Sequence, residues 1–537
     1  MKHFKKITLL LVLLLMLTAC SGKNDSKNQN ADQSKESSQA QAKDGGVIRI
    51  GLSANLANLD PVKYTAMYES NVMNSIFDTL VNYNADLTDF VPNLAKEWKI
   101  SEDGTVYTFI LRDDVYFQKG QFQDGRKMTA EDVKYSLMRS LNESALKRIR
   151  YIKDIQVKSD TELDVILEKP FSPFLAMLTD AGNGIVPREE VEGQGDKFGE
   201  NPIGTGPFAF KEWQKDSYVE LVRNENYWGE KPHLDGVKFS IITDENMMGN
   251  AIQSGDIDIA TQLKGQNVAL VEKNKDLTLD QIPGMSIGYF AFNVREGYPA
   301  SDLRVRQAMN LALNREELTK GVFKFNESKE GYLPLPSKSW GYNEEAAKKV
   351  KEASGGSEEQ IAKAKELLKE AGYENGFDLE LITAANRVPV ATIFQSQMKK
   401  IGVNVNIKSV EWGTFSDIVS QGNAASYIMG WTWYPDPDFF LFQMLASDQI
   451  GSLGNGGGYS NPELDKLLDQ ASRITDQAER AKVYGQAQDI IAEDLPHLDF
   501  YDQDVLTGLS NKVEGYVSRP DGRIVLVDGS SNTWLNQ

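Results

Sequence analysis

The motif GMSIG, centred on Ser286, matches the G-x-S-x-G pattern around the nucleophilic serine of many hydrolases. In those enzymes the serine stands at a sharp turn between a strand and a helix, beside a histidine that acts as base. Here Pro283 precedes the motif and the strand-like IGYFAFNV follows it, so no such turn is predicted. Beyond the N-terminal leader, His233 and His497 are the available bases. A surface hydrolase using Ser286 is kept as an alternative, and a chance match is the better interpretation.

Other residue patterns give little support for catalysis. Two isolated histidines, one cysteine and no His-x-x-x-His spacing do not make a transition-metal site. The glycine-rich GSLGNGGGYS has no strand before it and no Lys-Ser/Thr after it, so it does not predict a phosphate loop. The carboxylates are numerous and scattered, and no acid/base pair stands out. We therefore expect no enzyme activity, no metal and no cofactor.

A different kind of chemistry is suggested by MGWTWYPDPDFFLF, residues 429–442. A core strand rarely contains two prolines, because each removes a hydrogen-bond donor from the ladder. Aromatic side chains on a proline-stiffened loop are suited to stacking on a ligand. The stretch therefore predicts a binding wall over Trp431, Thr432, Trp433, Tyr434 and Asp436. The three phenylalanines that follow are expected to pack inside the protein; they are Phe439, Phe440 and Phe442.

Length and charge limit the class of protein to which such a site can belong. A chain of 537 residues is too long for one hydrophobic core, so two to four domains are expected. Hydrophobic residues make up 41% and charged residues 25%, which are ordinary globular values. The formal net charge of −19 argues against nucleic acid or an anionic lipid surface as a partner.

The N-terminus resembles the signal peptide of a bacterial lipoprotein. A basic start, an apolar run and the sequence LTAC at residues 17–20 predict a leader over 1–19 and lipidation of Cys20. Cys20 is the single cysteine, so no disulfide forms within the chain. Residues 20–44 are polar and lack aromatic residues, which is typical of a disordered tether. We expect a monomer attached by its lipid to the outer face of the cell membrane.

Hydrophobic periodicity predicts an α/β protein. Strands are expected at 47–50, 105–111, 377–383 and 403–412, and helices start at the caps Thr129, Ser357 and Asn461. A further helix is expected to end before Pro496. The order of strand, helix and strand over 377–412 predicts a right-handed βαβ unit. No internal repeat is found.

Four stretches resemble the extracellular solute-binding proteins of ABC importers, the family that includes oligopeptide-, dipeptide- and nickel-binding proteins. They occur in family order and are LAKEWKISEDGTVYTFILRDDVYF with FQDGRKMTAEDVKYSLMR, NPIGTGPFAFKEWQKDSYVELVRNENYWGEKPHLDGVKF, AIQSGDIDIA, and YFAFNVREGYPASDLRVRQAMNLALNREEL. The resemblance covers residues 47 to about 515.

This resemblance implies a two-lobed, type II periplasmic-binding-protein-like α/β fold with a ligand cleft between the lobes. The first lobe is expected to comprise 45–81, 203–290 and 498–537, with an extra subdomain inserted at 82–202. The second lobe is expected at 291–497. Closure of the lobes around a solute would present the liganded shape to a permease and its ATPase subunits.

In peptide-binding relatives the segment equivalent to 429–442 supplies a carboxylate that holds the peptide's α-ammonium group. Gly430, Trp431 and Pro437 keep the family pattern, but the run between them is one residue shorter and aromatic where the acid is expected. Asp436, Asp438 or no acid at all are the alternatives for this role.

Further cleft residues are expected after the first strand, at the crossing between lobes and in the second lobe; they are Asn55, Leu56, Tyr289, Asn293, Arg387 and Trp412. Arg387 follows a strand end, where it either binds a carboxylate of the solute or is an ordinary surface arginine. The expected function is import of peptides. Alternatives are binding of a nickel chelate, an opine or a glycoside, the hydrolase, and an adhesin or pheromone receptor without a permease.

Overall fold

The computed structural model describes residues 42–64, 66–144, 148–432 and 434–536. The predicted leader, Cys20, most of the tether and Trp433 lie outside these ranges. Within them, no helix combines the length and the apolar character needed to cross a bilayer.

The strands of the described ranges are, in chain order, β1 (Val47–Leu52), β2 (Val81–Tyr83), β3 (Phe90–Pro92), β4 (Ala95–Ile100), β5 (Val106–Leu111), β6 (Ile152–Ser159), β7 (Glu162–Leu167), β8 (Phe208–Gln214), β9 (Tyr218–Arg223), β10 (Gly236–Ile241), β11 (Ile259–Ala260), β12 (Leu277–Phe292), β13 (Ser328–Glu330), β14 (Phe377–Ala384), β15 (Val403–Val410), β16 (Ser426–Thr432), β17 (His497–Ser510), β18 (Val513–Glu514) and β19 (Trp534–Leu535).

The α-helices of the same ranges are α1 (Met67–Ile76), α2 (Ala130–Glu143), α3 (Phe174–Leu178), α4 (Arg188–Gln194), α5 (Glu245–Ser254), α6 (Gln266–Lys273), α7 (Leu303–Ala312), α8 (Arg315–Val322), α9 (Glu344–Glu352), α10 (Glu358–Glu370), α11 (Val388–Lys399), α12 (Trp412–Ser420), α13 (Asp438–Leu445), α14 (Pro462–Arg473) and α15 (Gln477–Asp494).

One large sheet contains most of these strands, in the order β15-β14-β16-β12-β17-β11-β1-β10-β9-β8, with β13 paired to β17. The half with β1 and β8–β11 is called the first lobe, and the half with β14–β16 is called the second lobe. The long strands β12 and β17 lie between the halves. They pair with each other from Leu277↔Ser510 to Ala291↔His497, while β12 also pairs with β16 and β17 with β11. Two strands therefore cross from one lobe to the other.

The second lobe contains the βαβ unit predicted from the sequence. β14 and β15 pair in parallel over eight residues, and α11 connects them. The predicted caps are also confirmed: helices begin directly after Thr129, Ser357 and Asn461, and α15 ends before Pro496. The prediction missed the N-terminal half of β12, because Pro283 and Gly284 interrupt its pattern.

The inserted region forms its own antiparallel sheet, in the order β4-β5-β7-β6. Apolar side chains of this sheet, such as Phe109, lie in the same hydrophobic cluster as side chains of the second lobe, such as Phe440. The backbone N–H of Ser172 also donates to the carbonyl of Ser472, at 2.7 Å. In this structure the inserted region is therefore packed directly against the second lobe.

Candidate functional site: the cleft beside the crossing strands

Two cavities lie beside the crossing strands. The first, called the polar chamber, has a volume of about 380 Å³, and its lining includes Tyr68, Gln262, Ser286, Arg387, Thr432 and Gln503. The second, called the apolar chamber, has a volume of about 510 Å³, and its lining includes Asp86, Leu87, Asp280, Ile282, Met285, Trp340, Pro435 and Val517. Both volumes lie in the range of small-molecule sites.

Each chamber takes residues from both lobes. Tyr68 and Gln262 of the first lobe face Arg387 and Thr432 of the second lobe across the polar chamber. The Tyr68 hydroxyl donates to Gln262 Oε1 at 3.2 Å, so the first-lobe wall is held by its own hydrogen bond. The chambers together mark the cleft between the lobes.

Arg387 is the sequence-predicted residue that fits a ligand contact best. It ends the short turn Ala385–Arg387 between β14 and α11, and its side chain is half-buried in the polar chamber. In the part of the chain that the structure describes, no carboxylate lies within 4.0 Å of its guanidinium. A desolvated guanidinium without an acid partner is suited to bidentate binding of a ligand carboxylate.

Two neighbours fix the position of the Arg387 guanidinium. A Cβ on Gly430 would lie 2.7 Å from Arg387 Nη2, so glycine at this position leaves the space that the guanidinium uses. Tyr501 is the second neighbour. Burial raises the pKa of its phenol, and the charge of Arg387 and its hydrogen bond with the phenol oppose that rise. The glycine of the Gly-Trp pattern therefore has a direct role in shaping the chamber.

Thr432 also lines the polar chamber. Its hydroxyl is 2.5 Å from the hydroxyl of Ser286, its register partner on β12. Ser286 therefore sits in the middle of a strand and not at a strand-to-helix turn. His497 pairs with Ala291, five residues further along β12, which is about 17 Å away.

His497 has the environment of a core histidine. Its ring stacks on Tyr289 with centroids 4.6 Å apart, and burial lowers its pKa to about 3. The other candidate base, His233, bonds through Nδ1 to Asp44 at 2.7 Å. Neither histidine is placed to act as a base for Ser286, so the geometry does not support the hydrolase alternative.

The structure corrects the prediction for two residues of the aromatic stretch. Tyr434 is buried and packs edge-on against Phe439, with ring centroids 4.5 Å apart. Asp436 is 2% exposed and forms a bidentate ion pair with Arg480, at 2.8 and 2.9 Å. The turn through Pro435 points both side chains inward, so neither is a wall residue and Asp436 is not available to a ligand ammonium.

Trp431, predicted as a wall residue, lines neither chamber and packs against the core, while the phenylalanines pack inside as expected. Trp431 is half-buried and its indole N–H donates to the Phe439 carbonyl at 3.0 Å. Phe439 and Phe440 are buried, and Phe442 packs against the same core. Asp438 is also buried, 3.7 Å from Arg150 of the inserted region, and burial raises its pKa to about 6.

The other predicted cleft residues do not line either chamber. Asn55 is exposed and Leu56 packs in the first-lobe core. Tyr289 and Asn293 are fully buried, because β12 continues as a central strand of the second lobe; the Asn293 amide donates to the carbonyls of residues 422 and 424. Trp412 is half exposed and stacks on a phenylalanine of its own helix.

Sequence reasoning missed Tyr68, Gln262, Gln503, Met285 and Trp340. Two of these had a usable signal. Met285 is the second residue of the GMSIG motif, and Tyr68 lies in the first turn of the helix after the first predicted loop. Among the described residues, no group of three potential metal ligands is found.

The crossing strands and the interlobe cleft define the class: this is a type II periplasmic binding protein with two lobes. The family model for bacterial extracellular solute-binding proteins, family 5 Middle, matches residues 89–452. The chain belongs to that family of solute-binding proteins, which are binding proteins and not enzymes.

Known members vary in what their names say they bind. The chain is 30% identical to the dipeptide-binding protein of Escherichia coli (strain K12) over 483 residues, covering 83% of this chain and 87% of that one. It is 29% identical to heme-binding protein A of Haemophilus influenzae, covering 95% of each. The structure of DppA from Helicobacter pylori with the peptide STSA is similar with a TM-score of 0.76 at 30% identity, covering 92% of this chain and 99% of that one.

Removing the buried charge of Asp436 should destabilise the protein. In Asp436→Asn the Arg480 guanidinium keeps its charge without a counter-ion, and loss of one partner of a buried pair typically costs about 3–5 kcal/mol. Urea denaturation followed by tryptophan fluorescence measures this change. The matched control Asp276→Asn removes an exposed carboxylate and should leave the unfolding midpoint unchanged. Equal stability of the two variants would contradict this role for Asp436.

Asp502 should make stability depend on pH. Burial raises its pKa from 3.8 to about 6, so folding favours the protonated carboxyl. Its stabilising contribution is therefore complete below pH 4 and is lost as the pH rises through 6. Asp502→Asn keeps an oxygen for the Ser337 N–H, and should raise the free energy of unfolding at pH 8 by about 1–3 kcal/mol.

The measurement for Asp502→Asn is urea denaturation at pH 4.5 and pH 8. The difference from the wild-type protein should be large at pH 8 and small at pH 4.5. A difference that is the same at both pH values would show that Asp502 does not titrate between them.

Proposed function

We propose that this protein captures peptides, or peptide-like solutes with a free carboxylate, between its two lobes and delivers them to an ABC permease. The observation that carries the proposal is Arg387: a half-buried guanidinium in the interlobe chamber with no acid within 4.0 Å in the described ranges. Two relatives support the same class of solute: the E. coli protein is named for dipeptide binding, and the H. pylori structure contains a bound peptide.

Two other arginines on the lining of the polar chamber already have acid partners. Arg523 pairs with Asp521, and Arg519 pairs with Asp528. A ligand carboxylate would give Arg387 the acid partner that it lacks among the described residues. A ligand without an anionic group would leave the Arg387 charge partly desolvated and unpaired, which is unfavourable.

Acids also line the chamber, and Glu327 and Asp504 among them accept hydrogen bonds from Gly265 and Gln281. The chamber supplies neutral hydrogen-bonding groups as well. The hydroxyls of Thr432 and Ser286 and the amides of Gln262 and Gln503 line the same space. Such groups can donate to or accept from the amides of a peptide backbone. The set suits a solute with one anionic end and a polar, uncharged backbone.

Capture by lobe closure is supported by the crossing strands. We propose the first lobe at 45–81, 203–290 and 498–537, the inserted subdomain at 82–202 and the second lobe at 291–497. β12 already pairs with β16 of the second lobe from Ser286 to Phe292, so this strand crosses between the lobes a few residues before the proposed boundary at 290. A solute that contacts both lobes favours the closed arrangement, and a permease with its ATPase subunits would recognise that arrangement.

We propose that the protein is a monomer held at the outer face of the cell membrane by a lipid on Cys20, with residues 20–44 as a tether. The LTAC sequence after an apolar run is the support. Mass spectrometry of wild-type and Cys20→Ser protein from membranes tests this. The wild-type N-terminal peptide should carry acyl chains, and the variant should appear in the soluble fraction; an unmodified wild-type Cys20 would contradict it.

The family also contains proteins named for other solutes, heme among them. Mass spectrometry of the protein purified under non-denaturing conditions shows what fills the cleft. Peptides are the expected result. A bound porphyrin, metal chelate or sugar would overturn the proposed ligand class.

Calorimetry with the tripeptide Leu-Phe-Ala and its C-terminal amide tests the role of Arg387. The amide lacks the anionic carboxylate, so its affinity should be at least tenfold lower; Arg387→Met should weaken the free acid by a similar factor. In Arg387→Met the acid and the amide should bind alike, because the two changes remove the same interaction.

The control is Arg304→Met, which removes an exposed arginine that is paired with Asp302. It should leave the preference for the free acid intact. If the wild-type protein bound acid and amide equally, the proposed carboxylate site would be wrong.

A further inference from the structure

The inserted region is anchored to the first lobe by buried contacts. Arg139 of α2 forms a bidentate ion pair with Asp60, with both distances at 2.7 Å and both side chains buried. The Gln118 side-chain amide donates to the Phe208 carbonyl at 2.9 Å. Breaking a buried ion pair is strongly unfavourable, so these contacts are expected to persist when the lobes separate. The inserted region should therefore move together with the first lobe.

The contact of the inserted region with the second lobe is of a different kind. Ser172, just before α3, donates through its backbone N–H to the Ser472 carbonyl at 2.7 Å, and its hydroxyl donates to the Ile474 carbonyl. Both carbonyls belong to the C-terminal end of α14, where helix carbonyls lack partners within the helix. Water can take the place of Ser172 at these carbonyls, so the contact can break and form again at a small net cost.

Arg150 of the inserted region makes the second contact. Its guanidinium lies 3.7 Å from the Asp438 carboxylate and 5.7 Å from the centre of the Phe439 ring. In the amide orientation that satisfies both groups, the side-chain oxygen of Gln443 accepts from the two Arg150 Nη atoms at 2.8 and 3.1 Å. One arginine of the inserted region is therefore held by three side chains of α13 in the second lobe.

The Asp438 carboxylate depends on this arginine. It is 1% exposed, and in the described ranges neither of its oxygens receives a hydrogen bond. The nearby Arg480 is already paired with Asp436, and Arg150 supplies the cation within 4.0 Å of Asp438 in the same ranges. A buried carboxylate without a partner is unfavourable. The Asp438 side chain is therefore stabilised by the approach of the inserted region.

These contacts lie outside both chambers, because Arg150, Ser172 and Asp438 line neither of them. A solute in a chamber would therefore not touch them. Contacts that exist in one arrangement of the lobes and are lost in the other favour the first arrangement whatever the solute. The apparent affinity for every solute then changes with the fraction of molecules in that arrangement.

We propose that the contacts of Arg150 and Ser172 with the second lobe form a latch that stabilises the closed arrangement of the lobes independently of the solute. The latch raises the affinity for all solutes by one common factor, while the chamber residues determine the differences between solutes. The inserted region is thus an affinity element that acts without touching the ligand. This rests on the lobe closure of the proposed function.

Single-molecule fluorescence energy transfer measures the ratio of closed to open molecules. Cys20 is the single cysteine, so a Cys20→Ser protein with Lys153→Cys on β6 and Gln470→Cys on α14 has one label on each side of the latch; both label positions are exposed. Without peptide and at each concentration of the peptide Leu-Phe-Ala, Arg150→Met should lower the ratio roughly threefold or more.

Two further variants sharpen this measurement. Ser172→Ala removes the hydroxyl bond to Ile474 and should lower the ratio about twofold. The matched control is Arg188→Met, which removes an exposed arginine of the inserted region that is paired with Glu192, and it should leave the ratio unchanged. Thermal unfolding of each variant without peptide shows whether it is folded before the ratios are compared.

Calorimetry tests whether the factor is common to different solutes. Arg150→Met should weaken Leu-Phe-Ala and Ala-Ala by the same factor, and this factor should equal the change in the closed-to-open ratio. In an Asp438→Asn background the effect of Arg150→Met should be smaller, because one partner of the contact is already absent.

The outcomes separate the latch from the proposed function. An unchanged ratio in Arg150→Met, or clearly different factors for the two peptides, would overturn the latch and leave peptide capture standing. Failure of every peptide to bind would overturn the proposed function. The labelled protein without peptide would then still test the latch, and equal ratios in wild type and Arg150→Met would count against it.

Discussion

The pairing of β12 with β17 is the interaction on which the rest of the structure depends. It joins the two halves of the large sheet, because β12 also pairs with β16 of the second lobe and β17 also pairs with β11 of the first lobe. The ladder is irregular between Ile282 and Ser286, where the register shifts. Irregular positions in a ladder bend the strand and redirect side chains. This is also where the two chambers adjoin, so the strands that hold the lobes together shape the space between them.

Local sequence was sufficient to predict much of the second lobe. The βαβ unit over β14, α11 and β15 has clear alternation, a proline in the first turn of its helix and short loops. The Phe-rich end of the 429–442 stretch also packs as predicted, because α13 needs an apolar face. Arg387 was predicted at the cleft because it follows a strand end, the usual place for ligands in α/β sheets. Its side chain lines the polar chamber, and its contact with a ligand stays a prediction.

The residues that were placed wrongly depend on contacts distant in sequence. Asp436 turns inward because Arg480 stands 44 residues later, and nothing near Asp436 predicts that pairing. Tyr289 and Asn293 are buried because β12 runs on as a central strand with β16 and β17 beside it. Gln262 and Tyr68 join the chamber through tertiary packing of the first lobe, which periodicity does not reveal.

Charge on the whole molecule and charge in the cleft act differently. A net charge of −19 repels anions at a distance, while Arg387 attracts a carboxylate only at contact. A zwitterion with no net charge escapes the long-range repulsion and still uses the local guanidinium. The acidic surface and the proposed carboxylate site together would therefore discriminate against solutes that are anionic overall.

The buried pair of Asp436 and Arg480 lies entirely within the second lobe, four residues after Thr432 at the end of β16. Because the ion pair holds Asp436 before any solute arrives, little disorder at this position has to be frozen when the solute binds. Solute exchange would then be timed by the motion of whole lobes and not by reordering of the binding loop. Substitutions at the chamber surface would change which solute is held while leaving that timing much as it is.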